Sequence, residues 1–132
     1  DALSGQVPLF MSNIVIIMQH LRAGTLRALG VTSPEPSRFL PGVPTFRQLG
    51  FPGFDALTWW AMIGPAGIPA PLVERMHQAV AAATQDAAVK ARMEELGADI
   101  LASPPAEAAA FIRGEAARWG RVIREANIQA DG

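Results

Sequence analysis

Few residues in this chain have types that could do chemistry, and their spacing argues against catalysis. His20 and His77 are the only histidines among 132 residues. Neither stands beside an acidic cluster or at the spacing of a metal-binding pair. His20 reads as a cation at a helix end, where the dipole favours it, and His77 as part of a polar helix face. Glu94 and Glu95 are adjacent carboxylates, but neighbours on a helix diverge by about 100 degrees and cannot share a substrate. Gly64-Pro65-Ala66-Gly67 lacks the Lys-Ser/Thr of a phosphate loop, and its proline removes a backbone donor. The absence of cysteine excludes disulfides, thiolate nucleophiles and zinc–thiolate sites. No enzyme, metal or cofactor is expected.

Binding is better served. Ser12-Asn13 places a hydroxyl and an amide where a strand meets a helix, beside backbone N–H groups that can hold a carboxylate. Thr32-Ser33 follows the next strand and offers two more hydroxyls at the same sheet edge, where open α/β folds hold ligands. Thr58-Trp59-Trp60 is the third candidate: tryptophans in a strand usually belong to the core, and one of them can instead wall a ligand. Ser or Asn at such a junction is also an ordinary helix cap, so both readings stand.

These residues require elements to position them. Val7 to Met11 reads as a buried strand, although Pro8 sits badly in a paired one. Ser12 or Asn13 then caps a helix carrying Ile14, Ile17, Met18 and Leu21, stopped by Gly24. Leu26 to Val31 is a mostly apolar strand, giving a parallel strand–helix–strand unit with a right-handed crossover. Pro34, Pro36, Pro41 and Pro44 make residues 33–44 a loop. Thr45 to Leu49 is read as one helical turn capped by Gly50, and Asp55 to Ile63 as a strand. Pro69-Ala70-Pro71 opens a helix with Leu72, Met76, Val80 and Ala83 on one face, and Asp86 caps another that carries Val89, Met93 and Leu96 and ends at Gly97. Ala98 to Leu101 is a short strand candidate. Ser103-Pro104 starts a last helix with Phe111, Ile112, Trp119, Val122, Ile123 and Ala126 along one apolar stripe, so Trp119 is expected to pack.

Composition sets the class. Half of the residues are hydrophobic and 17% are charged, as in a protein that builds a core. A net charge of −1 without a basic stripe argues against nucleic acid or anionic membrane as a partner. The apolar run from Ile14 to Met18 is far shorter than the roughly 20 residues of a spanning helix, so no membrane insertion is expected.

Three segments together resemble a known family: Arg22 to Ser33 (RAGTLRALGVTS), Arg38 to Thr45 (RFLPGVPT) and Leu49 to Phe54 (LGFPGF). With Trp59-Trp60, Gly64 to Pro69 and Trp119, they are similar to the solute-binding receptors of tripartite tricarboxylate transporters, the Bug family. The resemblance covers nearly the whole chain. It implies an α/β fold of the type II periplasmic-binding-protein kind, in partial lobes: a parallel βαβ unit, a crossing strand and C-terminal helices. Residues 1–54 would be the C-terminal part of one ligand-binding lobe, 55–65 the crossing strand or hinge, and 66–132 a helical return into the other lobe. Pro8 departs from the Val-Asp-Val type of strand expected in the family.

The resemblance also implies a function. A receptor of this kind holds a small carboxylate in a cleft in the periplasm and passes it to membrane transporter subunits. Ser12, Asn13, Thr32, Ser33, Thr58 and Trp59 are the expected ligand contacts. Such receptors have about twice this length, so the chain is expected to correspond to a C-terminal half. Asp1 to Gly5 accordingly reads as the end of a helix closed by Gly5. A second reading follows from the same shortfall: a truncated, self-associating module without solute binding, whose uncovered strand edges and apolar faces favour a homo-oligomer.

Overall fold

The computed structural model describes residues 3–129 and contains four helices: α1 (Ile14–Arg22), α2 (Ala70–Ala83), α3 (Ala87–Leu96) and α4 (Pro105–Glu125). The expected α/β sheet of the periplasmic-binding-protein kind is not there among the described residues. Among the described residues the strand pairing amounts to one isolated parallel bridge, Val31 to Thr45. The βαβ unit over 7–31, the crossing strand at 55–63 and the strand at 98–101 are therefore corrected to irregular chain.

The reason is visible at the bridge. Val31 N–H donates to Pro44 O, and Phe46 N–H donates to Val31 O, both at 2.9 Å. Continuing a parallel ladder one way needs an N–H from residue 44, which is proline. Continuing it the other way needs the N–H of Gln48, which donates to Thr45 Oγ1 at 3.1 Å. Pairing stops after one rung. The stretch 7–12 makes no backbone–backbone hydrogen bond among the described residues, and Pro8 removes one of its donors.

Helix boundaries follow local chemistry. Asn13 caps α1, its side chain accepting from Val15 N–H at 3.1 Å. Asp86 caps α3 by accepting from Ala88 and Val89 N–H. Ser103 does not cap α4: the N-cap position is Pro104, which has no side-chain bond to give. The helix end read at Asp1 to Gly5 lies partly outside the described residues, although Gly5 has a φ of +77°.

The chain divides into two compact units. The first runs through Trp60 and includes Asp86–Ile100. Here α1 packs on α3, burying Met18 and Ala98. Gly97 ends α3 at φ +74°, and a Cβ there would lie 2.6 Å from Met18 Cε. Glycine thus serves both the left-handed cap and the close approach of α1.

Thr45 is the most completely buried side chain of this unit, 1% exposed. Its N–H donates to Gln48 Oε1 at 2.8 Å while its Oγ1 accepts from Gln48 N–H, a capping box on a single turn. Phe46 stacks on Phe54 with centroids 4.8 Å apart, and Phe51 tilts against it at 5.9 Å. Arg38, lying over the Phe39 ring, ties the proline loop to the end of α3 through Asp99 at 2.8 Å and Glu94 at 3.1 Å. Those two bonds, Asp99 first, raise the Arg38 pKa above its ordinary value.

The second unit comprises Ala61–Gln85 and the chain from Leu101 onward. In it α2 packs on α4. His77 is not on a wholly polar face: its ring is mostly covered, and Nε2–H donates to Ala102 O at 3.1 Å. The apolar stripe of α4 is largely open, with Phe111, Trp119, Val122 and Ile123 exposed. Trp119 packs less than expected, its Nε1–H bonded to Glu115 and its ring beneath Arg118.

Candidate functional site

All six candidate ligand residues lie in the first unit, and the structure assigns them different duties. At the start of α1 the Asn13 side-chain oxygen is held by Val15 N–H, and Ile16 N–H bonds the Asn13 carbonyl at 3.0 Å. The cap thus occupies two first-turn donors that a carboxylate would otherwise meet. Asn13 keeps its amide NH2, and Ser12, exposed one residue earlier, keeps its hydroxyl among the described hydrogen bonds.

Thr32 and Ser33 are committed differently. Thr32 Oγ1 donates to Ala56 O at 2.5 Å, and Ala56 N–H donates back to Thr32 O at 3.0 Å. Ser33 Oγ donates to Glu35 O at 2.7 Å, a tight local turn. A carboxylate accepts hydrogen bonds and cannot donate them. With their protons on backbone carbonyls, neither hydroxyl can serve an anion in this arrangement. The Thr32–Ala56 clasp does bring the Thr32-Ser33 corner next to the segment that carries Thr58 and Trp59. Thr58 is exposed, and Trp59 retains 38% of its surface, so neither tryptophan of the pair is a core residue.

Beside α1 lies an open hollow of about 440 Å³. Val7, Phe10, Ile16, Ile17 and Leu26 give it an apolar wall, and Ser12 and His20 supply polar groups. Of the six candidates, Ser12 alone lines it. His20 sits at the far end of α1, with Thr25 Oγ1 3.4 Å from its Nδ1. Among the described residues no group of His, Cys, Asp or Glu is placed to hold a metal ion. No described helix is long and apolar enough to cross a membrane.

Two features of this unit were not read from the sequence. The Thr45-to-Gln48 box is a local T-x-x-Q pattern, which capping rules could have found. The fork from Arg38 to residues 94 and 99 spans 56 and 61 positions, and no local signal announces it.

Comparison with known proteins supplies the remaining observation. Residues 1–128 match the family model described as tripartite tricarboxylate transporter family receptor. The chain is 34% identical over 125 residues to Protein BugT of Bordetella pertussis, covering 95% of this chain and 38% of that protein. It is 32% identical over 132 residues to a protein of the tcbD-tcbE intergenic region of Pseudomonas sp. strain P51, covering 99% and 39%. A protein of the clcB-clcD intergenic region of Pseudomonas knackmussii is 27% identical over 124 residues, covering 93% and 73%. The chain thus spans under two fifths of the length of the first two relatives.

Proposed function

Because this chain belongs to the tripartite tricarboxylate transporter receptor family, a family of binding proteins rather than enzymes, we propose that it forms part of a periplasmic receptor that holds a small carboxylate and delivers it to a membrane transporter. The match over residues 1–128 carries this reading. Ser12 Oγ and the Asn13 amide, with protons not taken by other groups, bind the carboxylate at the head of α1. Thr58 and Trp59 wall the solute. Thr32 and Ser33 contribute once ligand-driven closure releases their protons from the Ala56 and Glu35 carbonyls. Residues 1–54 then belong to one lobe, 55–65 cross between lobes, and 66–132 return to the other.

Titration calorimetry of the receptor that contains this chain against di-, tri- and aromatic carboxylates tests the proposal. Binding by one of them, weakened about tenfold in Ser12→Ala, is the expected result, since a hydrogen bond to a charged group contributes about 1.5 kcal/mol or more. No heat from any of the three classes would refute it.

A second reading rests on a separate observation. Leu9, Met11, Ile16, Trp60, Met62, Ile63 and the α4 stripe are all exposed. A chain with so much apolar surface self-associates in water, as a homo-oligomer that covers it. Light scattering at micromolar concentration reads this directly, and a clean monomer would refute it.

A further inference from the structure

The end of α3 holds two other parts of the first unit. Gly97 receives the buried Met18 of α1 at close range, since a Cβ added at Gly97 would lie 2.6 Å from Met18 Cε. Arg38 reaches from the proline loop to two residues that flank Gly97 in sequence: its Nη1 donates to Glu94 Oε1 at 3.1 Å and its Nε to Asp99 Oδ1 at 2.8 Å. All of these residues belong to one compact unit. The helix headed by Ser12 and Asn13 and the loop that starts at Ser33 are therefore hung from the same short segment, residues 94–99.

The stretch between Ser33 and Arg38 is built to transmit position. Ser33 Oγ donates to Glu35 O at 2.7 Å, Phe39 N–H donates to Ser37 Oγ at 3.3 Å, and Leu40 N–H donates to Ser37 O at 3.1 Å. Pro34 and Pro36 fix φ at two of the residues between. Arg38 is itself ordered by its neighbour, its guanidinium lying 4.3 Å from the centre of the Phe39 ring. Acceptors on two different residues fix the plane of that guanidinium, where one acceptor would let it swing.

We propose that Arg38 is a positioning residue: fastened to Glu94 and Asp99, it sets the Thr32-Ser33 corner relative to the head of α1, so that both sides of the carboxylate site are in place before the solute arrives. The inference rests on the receptor reading above and gives Arg38 no contact with the solute. A corner that is already held spares binding the entropy of ordering it. The two ion pairs are exposed, and exposed pairs contribute little to folding, so their loss should register in affinity more than in stability. The same weakness bounds the effect at a few-fold.

Titration of the receptor that contains this chain with succinate, citrate and benzoate, as di-, tri- and aromatic carboxylate probes, tests the affinity side. Arg38→Ala should weaken the binding seen with the unmodified receptor about three- to fivefold while the urea midpoint hardly moves. Arg38→Lys, a point charge that meets one acceptor at a time, should recover part of the loss. Arg38→Glu combined with Asp99→Arg should bind more tightly than Arg38→Glu alone. A ligand-free measurement reads the loop itself: in Arg38→Ala the Leu40 amide should exchange several-fold faster, while that of Ala98, bonded to Met93 O at 2.9 Å, keeps its protection. Unchanged Leu40 exchange, or unchanged affinity in Arg38→Ala, would overturn this inference and leave the receptor reading intact. Failure of the unmodified receptor to bind any of the three probes would overturn both.

Discussion

The turn from Thr45 to Phe54 and the ribbon from Leu57 to Ile63 are separated by two residues, are both rich in large apolar side chains, and end in opposite conditions. In the first, Thr45 and Gln48 exchange two bonds, Phe51 N–H reaches Phe46 O at 3.0 Å, and the rings of Phe51 and Phe54 gather about Phe46. In the second, Trp60 and Ile63 are 65% and 83% exposed and the backbone is almost bare of partners. Hydrophobicity does not separate them. What differs is whether a short segment can satisfy its own polar backbone locally. A capped turn can; an extended strand depends on a neighbour at a distance in sequence.

Substitutions can break this comparison on either side. The largest effect is expected from Thr45→Val, which leaves the Gln48 N–H unsatisfied beside a buried site and should destabilise the first unit by about 2 kcal/mol in urea unfolding. Gly97→Ala should follow at about 1.5 kcal/mol, since a non-glycine residue at positive φ is strained and the new Cβ forces Met18 aside. Asp86→Ala should cost about 1 kcal/mol by removing the α3 cap. Thr58→Ser on the ribbon should change the chain's own stability by under about 0.5 kcal/mol, because the side chain is exposed and the substitution is conservative. The smallest response is expected from Arg38→Ala, whose exposed ion pairs are screened; high salt should erase what difference it makes. A large loss from Thr58→Ser, or none from Thr45→Val, would invert the contrast between closed turn and open ribbon.

The same contrast explains how much the sequence revealed. The helices were legible because their signals lie within a few residues: Asn13 and Asp86 as caps, Gly97 as a left-handed stop, Pro69 to Pro71 as an opening. Ser103 misled because Pro104 took the cap position itself. Strands failed for a physical reason, since Leu26 to Val31 and Asp55 to Ile63 have strand composition but a sheet is made by partners. Pro44 and the Gln48 turn close off the one partner Val31 finds. Among the candidate ligand residues, Ser12 and Asn13 were read from a strand-to-helix junction, of which only the helix start capped by Asn13 forms. The commitment of the Thr32 hydroxyl was not readable, because its acceptor lies 24 residues away at Ala56.

Amide hydrogen exchange, measured residue by residue at two protein concentrations, tests the account most directly. At about 1 µM the amides of Leu49 and Phe51 should be protected while those of Leu57, Thr58, Trp60, Ala61, Met62 and Ile63 exchange as in an unstructured chain; slowing of the latter at about 100 µM would report the self-association proposed above. Protection of 57–63 equal to that of Leu49 and Phe51 at both concentrations would contradict it.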